Sequence, residues 1–180
     1  GGGSLQWASK LLADIALTPG LEGSRVILYD INAEMADLML ALGQRIAAQA
    51  KTGLQVEVAA ERGAALDGAD FVIFCIAHGG LAATRHDLEI PWRYGIAQSV
   101  GDTVGPGGLA RALRHLPVVV DLAREMEARC PRAWLLNLTN PMTTICRAVT
   151  KSTSIQAIGL CHEMHGVKQH LSQLLEAPAD

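Results

Sequence analysis

Apolar positions at Leu5, Ala8, Leu11, Leu12 and Ile15 recur at the spacing of one helix face and end at Pro19-Gly20, which predicts a helix over 5–17. The β-branched and apolar run at 25–29 predicts a strand that ends at Asp30, with a long helix over 32–49 behind it. A weaker strand at 54–58, a short helix at 62–66 and a Gly-Ala-Asp turn lead into Phe71-Val-Ile-Phe-Cys-Ile76. That run is apolar throughout, so it predicts a strand buried on both faces. Residues 78–108 mix Gly with polar residues and predict loop and short helix, the kind of stretch that carries function. A helix over 108–129 with a kink at Pro117, a strand at 134–138, a helix at 142–149, a strand at 155–160 and a helix at 165–175 complete the pattern. Strands alternating with helices predict right-handed crossovers and one mainly parallel, doubly wound α/β sheet.

Composition narrows the class. The chain has 180 residues, 49% hydrophobic and 18% charged, enough for one domain with a real core. Fifteen Lys+Arg against eighteen Asp+Glu leave a net charge of −3, so no basic field holds a nucleic acid or an anionic membrane. No apolar run reaches the roughly 18 residues a membrane span needs. Cys75, Cys130, Cys146 and Cys161 lie far apart, three of them in apolar stretches, which predicts free thiols and a cytoplasmic protein.

Ligands of doubly wound sheets bind outside the carboxyl ends of the strands. Four polar features fall there: Asp30, the 77–80 stretch Ala-His-Gly-Gly, Asn140, and Cys161-His162. Gly1-Gly2-Gly3-Ser4 precedes a helix, where exposed N–H groups and the helix dipole favour a pyrophosphate, and Asp30 ends the next strand, where an acid binds ribose hydroxyls. The same glycines also read as a cloning linker. Asn140-Pro141 reads either as an ordinary helix start or as an amide aimed into the cleft. Cys161 reads as a soft-metal ligand, a nucleophile or a buried structural thiol, and His162, the next residue on a strand, points to the opposite face. His115, His165 and His170 read as solvated or satisfied helix residues.

Several motifs in order carry a resemblance: Gly1 to Ser4, LYDI at 28–31, LDGAD at 66–70, RHDLEIPWRYG at 85–95, GDTVGPGG at 101–108, ALRHLP at 112–117, NLTNPM at 137–142 and GLCHE at 159–163. Together they resemble glycoside hydrolase family 4, NAD- and Mn-dependent glycosidases of α-glucosides, α-galactosides, glucuronides and 6-phosphoglycosides. The resemblance implies a Rossmann domain like that of lactate and malate dehydrogenases, and a chemistry unlike that of two-carboxylate glycosidases. NAD takes hydride from C3 of the sugar, a base removes the C2 proton, the glycosidic oxygen is eliminated, water adds, and the ketone is reduced again. A divalent metal on O2 and O3 stabilises the enolate.

Carried over position by position, the resemblance implies that Gly1, Gly2, Gly3 and Ser4 hold the pyrophosphate and Asp30 the adenosine ribose. Arg85 and Asn140 contact the sugar, Cys161 binds the metal, His162 is a proton donor, and Asp102 raises the basicity of a catalytic tyrosine. Cys161-His162-Glu163-Met164 looks like the nonphosphorylated α-glycoside branch. The family's first strand, its second metal ligand and its catalytic tyrosine have no counterpart here, and neither Tyr29 nor Tyr94 matches the base. The expectation is therefore that residues 1–180 are the NAD-binding domain of a larger homodimeric or homotetrameric enzyme, cut at both ends, lacking the substrate domain, inactive and poorly stable alone. A lactate/malate-type dehydrogenase and a non-catalytic dinucleotide-binding module are the alternatives.

Overall fold

The computed structural model describes residues 1–161 and 163–176. In chain order the elements are α1 (Ala8–Leu17), β1 (Arg25–Leu28), α2 (Ala33–Ala50), β2 (Gln55–Val58), α3 (Arg62–Leu66), β3 (Phe71–Phe74), α4 (Gly80–Trp92), α5 (Gly105–Arg129), β4 (Trp134–Asn137), α6 (Met142–Ser152), β5 (Gln156–Gly159) and α7 (Glu163–Leu175). All pairings are parallel, as the crossover pattern requires. The strands nevertheless form two sheets, β2-β1 and β3-β4-β5, rather than the single sheet expected.

The chain's first residue stands where the two sheets approach. The Gly1 nitrogen donates to the Tyr29 carbonyl at 3.2 Å, and the Gly2 N–H donates to the same oxygen at 2.9 Å. On the other side, a Cβ on Gly1 would lie 1.7 Å from the Cys75 carbonyl oxygen. Gly1 thus sits between the carboxyl ends of β1 and β3, which are not bonded to each other.

Each sheet has its own core. Leu12 and Ala16 of α1, Met39 of α2, Leu28 of β1 and Val56 of β2 form one cluster. Val119, Ala123 and Met126 of α5, Leu135 of β4, and Ile145 and Val149 of α6 form the other, and all six are 0% exposed. Each such large side chain contributes about 1.5–3 kcal/mol by leaving water.

Three local expectations need correction. Phe71 is 63% and Ile73 38% exposed while Phe74 is 5%, so β3 is not buried on both faces. In register, Phe71 stands beside Trp134 and Ile73 beside Leu136, which in turn stands beside Ile158, on the face away from α5 and α6. Nothing among the described residues covers that face fully. The stretch 78–108, expected as loop and short helix, holds the 13-residue α4 and the start of α5. Gly79 permits that start: it caps α4 at φ +84°, where a side chain is strained. Finally, α1 begins at Ala8 rather than residue 5, because the Ser4 hydroxyl oxygen accepts the Trp7 N–H at 3.2 Å and its carbonyl accepts the Ala8 N–H at 2.9 Å. α5 runs unbroken through Pro117.

Candidate functional site

Along the carboxyl edge the predicted residues follow the strand order. Asp30 follows β1, the glycine turn comes next, Cys75 and His78 follow β3, Asn140 follows β4, and Cys161 follows β5. The adjacent ends of β4 and β5 are tied by the Leu160 N–H on the Asn137 carbonyl at 2.9 Å.

The glycine turn and Asp30 meet directly. The Gly3 N–H donates to Asp30 Oδ2 at 3.0 Å, and the Asn32 N–H donates to Asp30 Oδ1 at 3.0 Å. Burial by itself would raise the Asp30 carboxyl, but the bonds it accepts from Asn32 and Gly3 act against this and the group lies below its ordinary value. Close packing explains the residue type of the turn. A Cβ on Gly2 would stand 2.8 Å from the Tyr29 amide nitrogen and one on Gly3 2.8 Å from Met35 Cβ. The turn is therefore a built part of the fold and not an appended linker: its glycines let the backbone pack directly against β1 and α2.

Asn140 and Asp102 also meet. Asn140 Nδ2 donates to Asp102 Oδ2 at 3.0 Å, joining the loop after β4 to the loop before α5, and the Thr103 hydroxyl donates to Asp102 Oδ1 at 3.1 Å. Fully buried Asn137 shapes the loop that presents Asn140: its Oδ1 accepts the Thr139 N–H at 2.9 Å and its Nδ2 donates to the Thr139 carbonyl at 3.1 Å. The Thr139 hydroxyl in turn accepts the Ile76 N–H at 2.9 Å, linking the ends of β4 and β3. The Asn140-Pro141 peptide is cis.

The remaining expected residues are placed less centrally. Arg85 lies on α4, three-quarters exposed, its guanidinium paired with Glu89 on the same helix rather than joined to Asn140. Cys161 is exposed just past β5, its sulfur accepting the Glu163 N–H at 3.5 Å. As a donor it fits one soft-ligand position, but among the described residues no group of three His, Cys, Asp or Glu could hold a metal. His162 lies outside the described residues. No helix of the described residues is long and apolar enough to cross a membrane.

Sequence reasoning missed the residues that brace this edge. On α5, Arg111 donates Nε–H to the Asn140 carbonyl at 3.1 Å, Arg114 forks onto the buried carboxylate of Asp87 on α4, and His115 Nε2 accepts the His78 N–H at 3.1 Å. Positions 111, 114 and 115 share one helix face, a spacing visible in the sequence whose partners are not.

The model of the family described as "Family 4 glycosyl hydrolase" matches residues 1–177. The chain is 42% identical to the alpha-galacturonidase of Thermoanaerobacterium saccharolyticum, over 98% of this chain and 38% of that protein. The crystal structure of lplD from Bacillus subtilis superimposes with a TM-score of 0.86 at 37% identity, covering 97% of this chain and 40% of that one. The 6-phospho-beta glucosidase of Thermotoga maritima, solved with manganese, NAD+ and glucose-6-phosphate, superimposes at 0.81 with 28% identity over 99% of this chain and 42% of that one. In fold alone, the lactate dehydrogenase of Eimeria maxima superimposes at 0.61 with 14% identity over 95% of this chain and 46% of that one, which makes the architecture Rossmann-like. The chain thus spans about two-fifths of the length of the curated relatives it matches. With its motifs in order and the family model matched almost end to end, the chain belongs to family 4 of the glycosyl hydrolases.

Proposed function

We propose that the protein carrying this chain hydrolyses O-glycosidic bonds of nonphosphorylated α-glycosides and that residues 1–180 hold its NAD. The observation that carries the cofactor reading is the meeting of Gly3 with Asp30 at the carboxyl edge, beside a turn whose first two residues have no room for a Cβ. Bound NAD supplies acceptance and return of a hydride at the sugar. The glycines leave their backbone open to the pyrophosphate, with Ser4 fixing the turn that leads into α1. Asp30 has about four lone-pair sites, two of them used by Gly3 and Asn32, and the others accept ribose hydroxyls.

Asn140 and Asp102 form the sugar-side pair. With its Nδ2 held by Asp102, Asn140 has its Oδ1 left to accept from a sugar hydroxyl. Cys161 would give a divalent metal one thiolate. The nonphosphorylated reading is supported by Cys161-His162-Glu163-Met164 and by likeness to an alpha-galacturonidase. Free Cys75, Cys130, Cys146 and Cys161 support a cytoplasmic setting.

The test is a panel of aryl glycosides given to the full-length protein with NAD, Mn2+ and a reductant. Turnover of plain α-glycosides is expected, and activity confined to 6-phosphosugars would overturn the substrate assignment.

A further inference from the structure

We propose that His115 is a positioning residue for the loop at 77–80, fixing the cofactor-side end of β3 through its imidazole Nε2. The inference rests on the dinucleotide reading above. His115 is 0% exposed in the middle of α5, yet both ring nitrogens are used. Nδ1 lies 2.8 Å from the Arg111 carbonyl, one turn back, an oxygen that can only accept, so Nδ1 carries the proton. Nε2 is therefore the bare nitrogen, and it accepts the His78 N–H at 3.1 Å. The helix selects the tautomer, and the tautomer holds the loop.

The held peptide is the one before two successive left-handed glycines, Gly79 at φ +84° and Gly80 at φ +57°. Such glycines have no steric preference to keep them in place, and the turn is closed from within by the Gly80 N–H on the Ala77 carbonyl at 2.9 Å. The direction in which this backbone faces the edge therefore depends on the anchor at His78. The groups facing His115 are Arg111 and Arg114 on α5 and His78 in the loop, with its ring edge-on at 6.3 Å between centroids. Taking up a proton at Nε2 would remove the acceptor and set a cation among these groups.

The experiment compares His115→Asn with His115→Gln in the full-length protein. The shorter amide reaches the Arg111 carbonyl but not the loop, whereas the longer one sets its Oε1 where Nε2 stood. Two quantities are read: hydrogen exchange over 77–80 and NAD affinity by calorimetry, with thermal midpoints as the folding control. We expect His115→Asn to speed exchange over 77–80 and weaken NAD binding about tenfold, the scale of one buried hydrogen bond, while His115→Gln stays within about twofold of wild type. Equal behaviour of the two variants, or unchanged exchange in His115→Asn, would overturn the assignment. A wild-type protein that binds no NAD would overturn the cofactor reading instead, and the exchange arm would still decide the role of His115.

Discussion

The Gly3 amide donates to the Asp30 carboxylate at 3.0 Å, so the phosphate-side turn and the ribose-side acid are one bonded unit before any ligand arrives. That unit is a prepaid part of cofactor recognition: a turn already held in place loses little freedom on binding. Asp30→Asn should break it, because one amide cannot accept from both Gly3 and Asn32 without turning its own donor toward an N–H. The expected loss is roughly 1–2 kcal/mol of stability at neutral pH by urea titration, together with weaker NAD binding. The pH profile has a definite sign. With the folded carboxyl below its ordinary value, its contribution is whole above the ordinary carboxylate range and is lost as pH falls through the folded value. Asp30→Asn should remove that acid limb, and a limb of unchanged size would remove Asp30 from the account.

Gly2→Ala tests the turn itself. Its Cβ would meet the Tyr29 nitrogen at 2.8 Å and Leu28 Cα at 3.1 Å, backbone atoms of β1 that cannot swing aside. We expect about 1–3 kcal/mol of destabilisation and a parallel fall in NAD affinity, against little effect from Gly166→Ala, where nothing lies within 4 Å and the backbone of α7 is helical. Equal cost at both positions would mean that close approach does not matter at Gly2.

Arg114→Leu should be among the more damaging changes on α5. Asp87 is only 7% exposed, and Arg114 Nη1 donates to its Oδ1 at 2.8 Å while Nη2 takes the other oxygen. Stripped of its partner, the carboxylate stays buried and unpaired, at a cost of about 3 kcal/mol, and adding Asp87→Asn should recover part of it. Denaturation midpoints of the two variants and the double variant decide the matter; independent, additive losses would contradict the pairing.

Arg85 offers the opposite contrast. Its pair with Glu89 is exposed on α4, so Arg85→Ala should leave the thermal midpoint unchanged. If Arg85 reaches the sugar in the whole enzyme, KM should rise with kcat nearly kept. A loss of stability would instead show Arg85 to be structural.

Local pattern carried most of the fold. Runs such as 25–29 and 134–138 fixed strands because β-branched and apolar residues there have no other use, and the carboxyl-edge rule then placed Asp30, Asn140 and Cys161 in strand order. What stayed hidden depends on partners distant in the chain. His115 bonds a residue 37 positions away, Arg111 one 29 away and Arg114 one 27 away, and helix periodicity does not point to any of them. The apolar run at 71–76 overstated its burial for a related reason: a strand's own residues do not say what covers its outer face. Residues 80–92 hid a helix because charged residues alternate there with isolated apolar ones, so no single apolar face stands out.

Nicotinamide absorbance during glycoside turnover by the full-length protein tests the central claim most directly. The account predicts turnover that requires NAD while NADH stays at or below one equivalent per enzyme, because each hydride taken from the sugar is returned. NADH rising in proportion to product, as a dehydrogenase would give, or full turnover without NAD, would contradict it.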